Sequence, residues 1–277
     1  MKRRPLVDRL VDARLCEDNK QAAALVMAGL VLVNGQPARA GQILRPGDVI
    51  RVKRQGMPYA SKGGLKLDGA LAAFGVNPTG CVCLDAGAST GGFTDCLLQH
   101  GARLVYAVDV GYGQLTGALR QDRRVVNLER TNLANPKLRS LSPIPQLATC
   151  DLSYLSLLDA VPLYKTIMGA QGSLLALVKP LFEIEDAAAR REGSIEKSAY
   201  APMLSRLAQQ LNQQEDTQVI NVCASPITGN AGTLEFFFHL EFGSNRYAVD
   251  LRQAIDSSVD AALRIQPYKK AGDLTIE

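Results

Sequence analysis

The 277-residue sequence has no apolar run approaching the roughly 20 residues that span a bilayer; stretches such as Gly172-Ser173-Leu174-Leu175-Ala176-Leu177-Val178 stop at the charged Lys179. That excludes a membrane-spanning protein. A secretory leader is missing too: Met1-Lys2-Arg3-Arg4-Pro5 is basic, but Asp8, Arg9 and Asp12 interrupt the apolar segment a leader would need next, which predicts a cytoplasmic protein. Metal-ligand spacing is lacking as well. The six cysteines (Cys16, Cys81, Cys83, Cys96, Cys150 and Cys223) include no C-x-x-C pair, and only His100 and His239 accompany them, so buried thiols and no metal are expected. Internal repeats and low-complexity tracts are also absent.

The composition is that of an ordinary globular chain, 47% hydrophobic and 21% charged, enough for a large domain with a small one attached. Charge is distributed unevenly. Residues 1–66 carry 13 Lys/Arg against 5 Asp/Glu, and residues 67–277 carry 18 against 22, which points the N-terminal end toward an acidic polymer. Residues 1–54 read as two short helices followed by Leu30-Val31-Leu32-Val33-Asn34-Gly35 and Val49-Ile50-Arg51-Val52-Lys53, a small unit with a hairpin-like end. Asp18 or Asn19 suits the start of the second helix and Gly29 its end. Residues 55–62 form the linker, where Gly56 and Pro58 break any periodicity. The body is residues 63–277.

In the body, a helix from Gly64 to Phe74 precedes seven strand candidates: Cys81–Asp85, Leu104–Asp109, Val125–Glu129, Leu147–Asp151, Leu174–Lys179, Val219–Ala224 and Leu234–Leu240. Runs this apolar suit strands covered on both faces, hence an α/β three-layer sandwich. A helix over Asp250 to Ile265 comes next, and the residues from Gln266 are expected to be loose.

The first strand runs into Asp85-Ala86-Gly87-Ala88-Ser89-Thr90-Gly91-Gly92-Phe93-Thr94, a glycine-rich turn at a helix start, where backbone N–H groups can meet a ligand. Ser89 stands where the dinucleotide fingerprint needs its second glycine, which argues against a dehydrogenase. The second strand ends at Asp109, placed to accept from both hydroxyls of a ribose or, alternatively, only to cap its own turn. The third ends at Glu129-Arg130-Thr131-Asn132 on the same rim, a stretch that either meets an adenine edge or is a polar loop with no function. Lys66, Asp151, Lys179 and Glu235 are either solvated strand ends or one cluster, in which a lysine beside a second cation would be poised as a general base.

With these residues in view, the sequence resembles the TlyA-like family, known both as hemolysins and as ribosomal RNA 2′-O-methyltransferases, whose catalytic domain is similar to FtsJ-like RNA ribose methyltransferases. The resemblance rests on Tyr59-Ala60-Ser61-Lys62-Gly63-Gly64-Leu65-Lys66-Leu67, on Asp85 to Asp95, on Val108-Asp109-Val110-Gly111-Tyr112-Gly113-Gln114, and on Asp151-Leu152-Ser153-Tyr154-Leu155-Ser156 and Leu177-Val178-Lys179-Pro180. Residues 1–54 likewise resemble a small RNA-binding module, most clearly at Ala28 to Gly35.

The resemblance implies a Rossmann-like, seven-stranded class I methyltransferase sandwich with a small N-terminal α+β RNA-binding domain. It also implies S-adenosyl-L-methionine held by Asp85, Gly87, Ser89, Thr90, Gly91, Gly92 and Phe93, with Asp109 on its ribose and Thr131 or Asn132 near its adenine. Lys66, Asp151, Lys179 and Glu235 become the catalytic set, with Lys179 as base. Arg3, Arg4, Arg39, Arg51, Lys53 and Arg54 are phosphate candidates for RNA, by resemblance ribosomal RNA methylated at cytidine. The chain departs from the family pattern at Leu181, at Gly193-Ser194-Ile195-Glu196-Lys197 and at Thr233. A non-catalytic RNA-binding protein that keeps the fold is one alternative, and a membrane-active hemolysin is another.

Overall fold

The computed structural model describes residues 4–52, 58–243, 248–266 and 274–276, without 14, 17, 28, 40, 154, 170, 230 and 231. The chain forms two compact units, one of Met1–Pro58 with Lys269–Glu277 and the other of Tyr59–Tyr268.

In the first unit, helices Leu6–Asp12 and Asn19–Met27 lie on a small sheet. Asp18 accepts from the Gln21 N–H at 2.7 Å, satisfying one of the open donors at the start of the second helix. Val31–Val33 turns back through Asn34 and Gly35, both at positive φ, onto Gln36–Pro37, a tight hairpin of the kind this pair favours. Ile50–Val52 pairs antiparallel with Val31–Val33 on one side and with Leu274–Ile276 on the other. Within the stretch expected to be loose, Leu274–Ile276 is therefore a strand, because it completes the backbone hydrogen bonds along an otherwise open edge. Leu6, Leu10, Val26, Val31, Ile50 and Val52 form the core.

The second unit holds seven strands: β1 Val82–Ala86, β2 Leu104–Val108, β3 Val125–Leu128, β4 Leu147–Cys150, β5 Gly172–Val178, β6 Thr217–Ala224 and β7 Phe236–Phe242. Their order is β6-β7-β5-β4-β1-β2-β3, with β7 antiparallel to both neighbours and the other pairs parallel. Strand order reverses at β1, and in such sheets ligands sit beyond the carboxyl ends near that reversal.

Both faces of the sheet are covered. Helices α1 (Lys62–Phe74) and α2 (Gly92–Gln99) pack Leu67, Leu71, Phe93 and Leu97 against Cys83, Val105, Leu175 and Phe237. Helices Leu157–Met168, Tyr200–Asn212 and Leu251–Leu263 cover the other face, where Val82, Leu84, Ala86, Leu174 and Phe238 meet Tyr164, Leu204 and Val259. Side chains alternate along β1, so Asp85 points with Cys83 toward α2. Ser61 caps α1 by accepting from Gly63 N–H, and Gly75 ends it in the left-handed region.

Candidate active site

Three strands deliver charged residues to one rim. β4 leads into Asp151 and β5 into Lys179. Because β7 runs antiparallel, Phe236 lies opposite Val178, so Glu235 just before it lands where the parallel strands end. Lys66 arrives from the buried side of α1, next to Leu67. The start of α1 sits close to α2: a Cβ on Gly92 would collide with Ser61 Oγ, and one on Gly64 with the Tyr59 ring. The glycines at these two places allow the approach that brings Lys66 onto the rim.

The four side chains form two ion pairs. Lys66 Nζ contacts Glu235 Oε2 with only 6% of either side chain exposed. Lys179 Nζ lies 2.6 Å from Asp151 Oδ1, with 18% and 26% exposed, and donates to Ser153 Oγ at 2.8 Å and to the Leu152 carbonyl at 3.4 Å. The sequence suggests a lysine standing beside a second cation. Each lysine instead faces a carboxylate, since an ammonium this buried is costly unless it is paired. Around Glu235 the loop is tight, because a Cβ on Gly229 would strike its Oε1, and Gly229 N–H donates to Thr233 O at 2.8 Å.

The glycine-rich turn fits against this rim. Gly87 has φ +86°, and a Cβ there would meet the Asp151 carbonyl oxygen; Gly91, at φ +97°, would meet Leu119. Ser89 also lies at positive φ, held by its N–H donating to Asp109 Oδ2 at 2.7 Å and its hydroxyl donating to Gln114 Oε1 at 3.1 Å. Gly87, Ser89, Thr90, Gly92 and Phe93 line a cleft of about 680 Å³ together with Lys66, Asp151, Lys179 and Glu235, a size suited to a small-molecule ligand.

Asp85, Gly91, Asp109, Thr131 and Asn132 do not line it. Asp85 is fully buried, accepting from Thr94 Oγ1 at 2.6 Å and Thr149 Oγ1 at 3.0 Å. The alternation along β1 places it beneath α2, so it braces the turn from behind instead of facing the cleft. Burial, partly offset by the two threonine hydroxyls, pushes its carboxyl up to about 6. Asp109 does cap its own turn, accepting from Gly111 N–H at 2.7 Å, and Ser89 takes its other oxygen. A carboxylate offers about four acceptor sites, which leaves room for ribose hydroxyls. Thr131 donates to the Glu129 carbonyl, and Asn132 is exposed and accepts from Ala134 N–H.

Sequence reasoning missed Ser61, Ser153, Phe182, Ser194 and Tyr200, which also line the cleft. Ser61 and Ser153 stand inside the quoted motifs, so their signal was present. Phe182, half exposed, follows Lys179 by three residues and could have been found as an aromatic beside a strand-end lysine. The cysteines are free, and burial pushes the Cys150 and Cys223 thiols up to about 11 and about 12. Among the phosphate candidates, Arg39 and Arg51 are exposed on the first unit, and the Arg4 backbone pairs with Leu44. Arg3, Lys53 and Arg54 lie outside the described residues.

Comparison with known proteins follows the same division of the chain. Residues 59–242 match the FtsJ-like methyltransferase model, and residues 4–50 match the S4 domain. The 16S/23S rRNA (cytidine-2′-O)-methyltransferase TlyA of Mycobacterium tuberculosis is 36% identical over 258 residues, covering 89% of this chain and 93% of that one. Hemolysin A of Brachyspira hyodysenteriae is 34% identical over 225 residues, covering 80% and 93%. A solved structure from Streptococcus thermophilus described as a hemolysin superposes with a TM-score of 0.66 at 35% identity, covering 95% and 97%. No helix among the described residues is long and apolar enough to cross a membrane. With a matched catalytic region, full-length relatives and a reversal-point cleft in agreement, the chain belongs to the FtsJ-like methyltransferase family and carries an S4 domain ahead of the catalytic unit.

Proposed function

We propose that this chain transfers the methyl group of S-adenosyl-L-methionine to a ribose 2′-oxygen of ribosomal RNA, a cytidine by analogy with its relatives, and that it works in the cytoplasm. The observation that carries this reading is the gathering of Lys66, Asp151, Lys179 and Glu235 on the rim beside the glycine-rich turn. When bound, S-adenosylmethionine supplies a methyl group activated on a sulfonium. Gly87, Ser89, Thr90, Gly92 and Phe93 would hold it, with the spare lone pairs of Asp109 for its ribose.

Lys179 in its neutral form would accept the proton of the attacking hydroxyl, and Asp151 at 2.6 Å would stabilise the ammonium so formed. Its partial exposure gives that proton a route to water. Lys66, sealed against Glu235, is a fixed positive charge that would stabilise negative charge growing on the oxygen. Holding the reacting atoms in line accounts for much of the expected acceleration. The S4 domain, with Arg39 and Arg51 exposed, would engage RNA phosphates.

The test is transfer of labelled methyl to purified small and large ribosomal subunits lacking ribose methylation, followed by mapping of the modified nucleotide. Incorporation at a 2′-oxygen is the expected result. Measurable donor binding with no incorporation into either subunit would overturn the ribosomal assignment.

A further inference from the structure

A second group of side chains lies on the seam between α1 and α2, away from the cleft. Asp68 follows Lys66 by two residues, which places it about 200° round the helix. Cys96 and His100 are four apart at the end of α2 and so share one face. One donor atom from each of Asp68, Cys96 and His100 lies within 4.8 Å of the others, and His100 Nε2 is 2.8 Å from Asp68 Oδ1. Cys96 is fully buried, whereas the Asp68 and His100 side chains are 45% and 36% exposed. None of the three lines the cleft.

We propose that Asp68, Cys96 and His100 bind one borderline-soft divalent cation of the Zn²⁺ type. An imidazole, a thiolate and a carboxylate are the donors such ions prefer, whereas Mg²⁺ and Ca²⁺ take oxygen. Charge supports the assignment. A dication with one thiolate, one carboxylate and a neutral imidazole sums to zero, so the loaded site carries no uncompensated charge into the seam.

Binding forms a metal–sulfur bond and releases the Cys96 thiol proton to water. The ring proton moves from Nε2 to Nδ1, the Nε2 hydrogen bond to Asp68 Oδ1 is given up, and the neutral His100 ring coordinates through Nε2. The exposed sides of Asp68 and His100 give the ion its way in, and the fourth position is left to water. A bound ion would staple α1 to α2, whose first turns shape the cleft through Ser61, Lys66 and Gly92.

Titration of the full chain with Co²⁺ reads the site directly. The expected result is a near-ultraviolet thiolate-to-cobalt charge-transfer band that saturates at one equivalent and is bleached by Zn²⁺. Cys96→Ser should abolish the band, and His100→Gln, at a partly exposed position, should weaken the affinity at least about tenfold. Zn²⁺ should raise the melting temperature of the wild type, raise that of His100→Gln less at the same concentration, and leave that of Cys96→Ser unchanged. A missing band at saturating Co²⁺, or a band that survives Cys96→Ser, would overturn the proposal. Should Cys96→Ser fail to fold, unchanged affinity in His100→Gln overturns it equally.

Discussion

Lys66 and Glu235 pair with only 6% of either side chain exposed, whereas Lys179 and Asp151 pair with 18% and 26% exposed. The chemistry is the same and the surroundings differ. The more enclosed pair lines the cleft with its two charges matched in contact, so the fold feels the removal of either partner. The half-open pair touches solvent and the backbone beyond β4, so losing one partner costs the fold less. In the proposed function, the more open Lys179 is the proton acceptor and the more enclosed Lys66 places charge.

Removing one member of each pair has the largest and most unequal effects. Glu235→Ala leaves the Lys66 ammonium buried alone and should cost about 3–5 kcal/mol in chemical denaturation. Replacing both partners with apolar side chains, Lys66→Met with Glu235→Leu, should recover most of that stability while methyl transfer stays lost. A double variant as unstable as the single one would show that the pair contributes more than mutual neutralisation.

Asp85 is a third case, a buried carboxylate held by the Thr94 and Thr149 hydroxyls. Its folded value, about 6 against an ordinary 3.8, means that the folded state binds more protons between those limits. Stability should therefore fall as pH rises from about 4 to about 6 and be flat above. Asp85→Asn should remove that slope and gain up to about 3 kcal/mol at neutral pH, as read from denaturation midpoints across pH. An unchanged slope would place the titration elsewhere.

Asp151→Ala, at the half-open pair, should cost about 1 kcal/mol, because Lys179 can turn to water. The smallest effect belongs to the exposed cations of the first unit. Arg39→Ala or Arg51→Ala should leave stability unchanged and reduce the slope of log affinity against log salt by about 1 each in RNA binding. A slope that neither change alters would remove these arginines from the RNA contact.

Much of this was legible in the sequence for physical reasons. Strands covered on both faces must be apolar throughout, so all seven runs stand out, and a turn that hugs a neighbouring loop must use glycine, as Gly87 and Gly91 do. Information that depends on the third dimension was not legible. That Lys66 and Glu235 share one cluster was expected, but that they pair with each other depends on the antiparallel course of β7. Thr149 lies 64 residues from Asp85, so nothing local reveals that Asp85 is held beneath α2. The final strand Leu274–Ile276 is short and comes after a polar stretch, and only its pairing with Ile50–Val52 marks it. The C-x-x-x-H spacing of Cys96 and His100 acquires a third donor only because α1 packs alongside.

The central claim is that Lys179 accepts the hydroxyl proton while Lys66 only fixes charge. Its most direct test is single-turnover methyl transfer to ribosomal RNA by Lys179→Ala, with donor affinity measured calorimetrically on the same sample. The account predicts a rate at least about a hundredfold lower with donor affinity nearly unchanged. Turnover close to that of the wild type would contradict it.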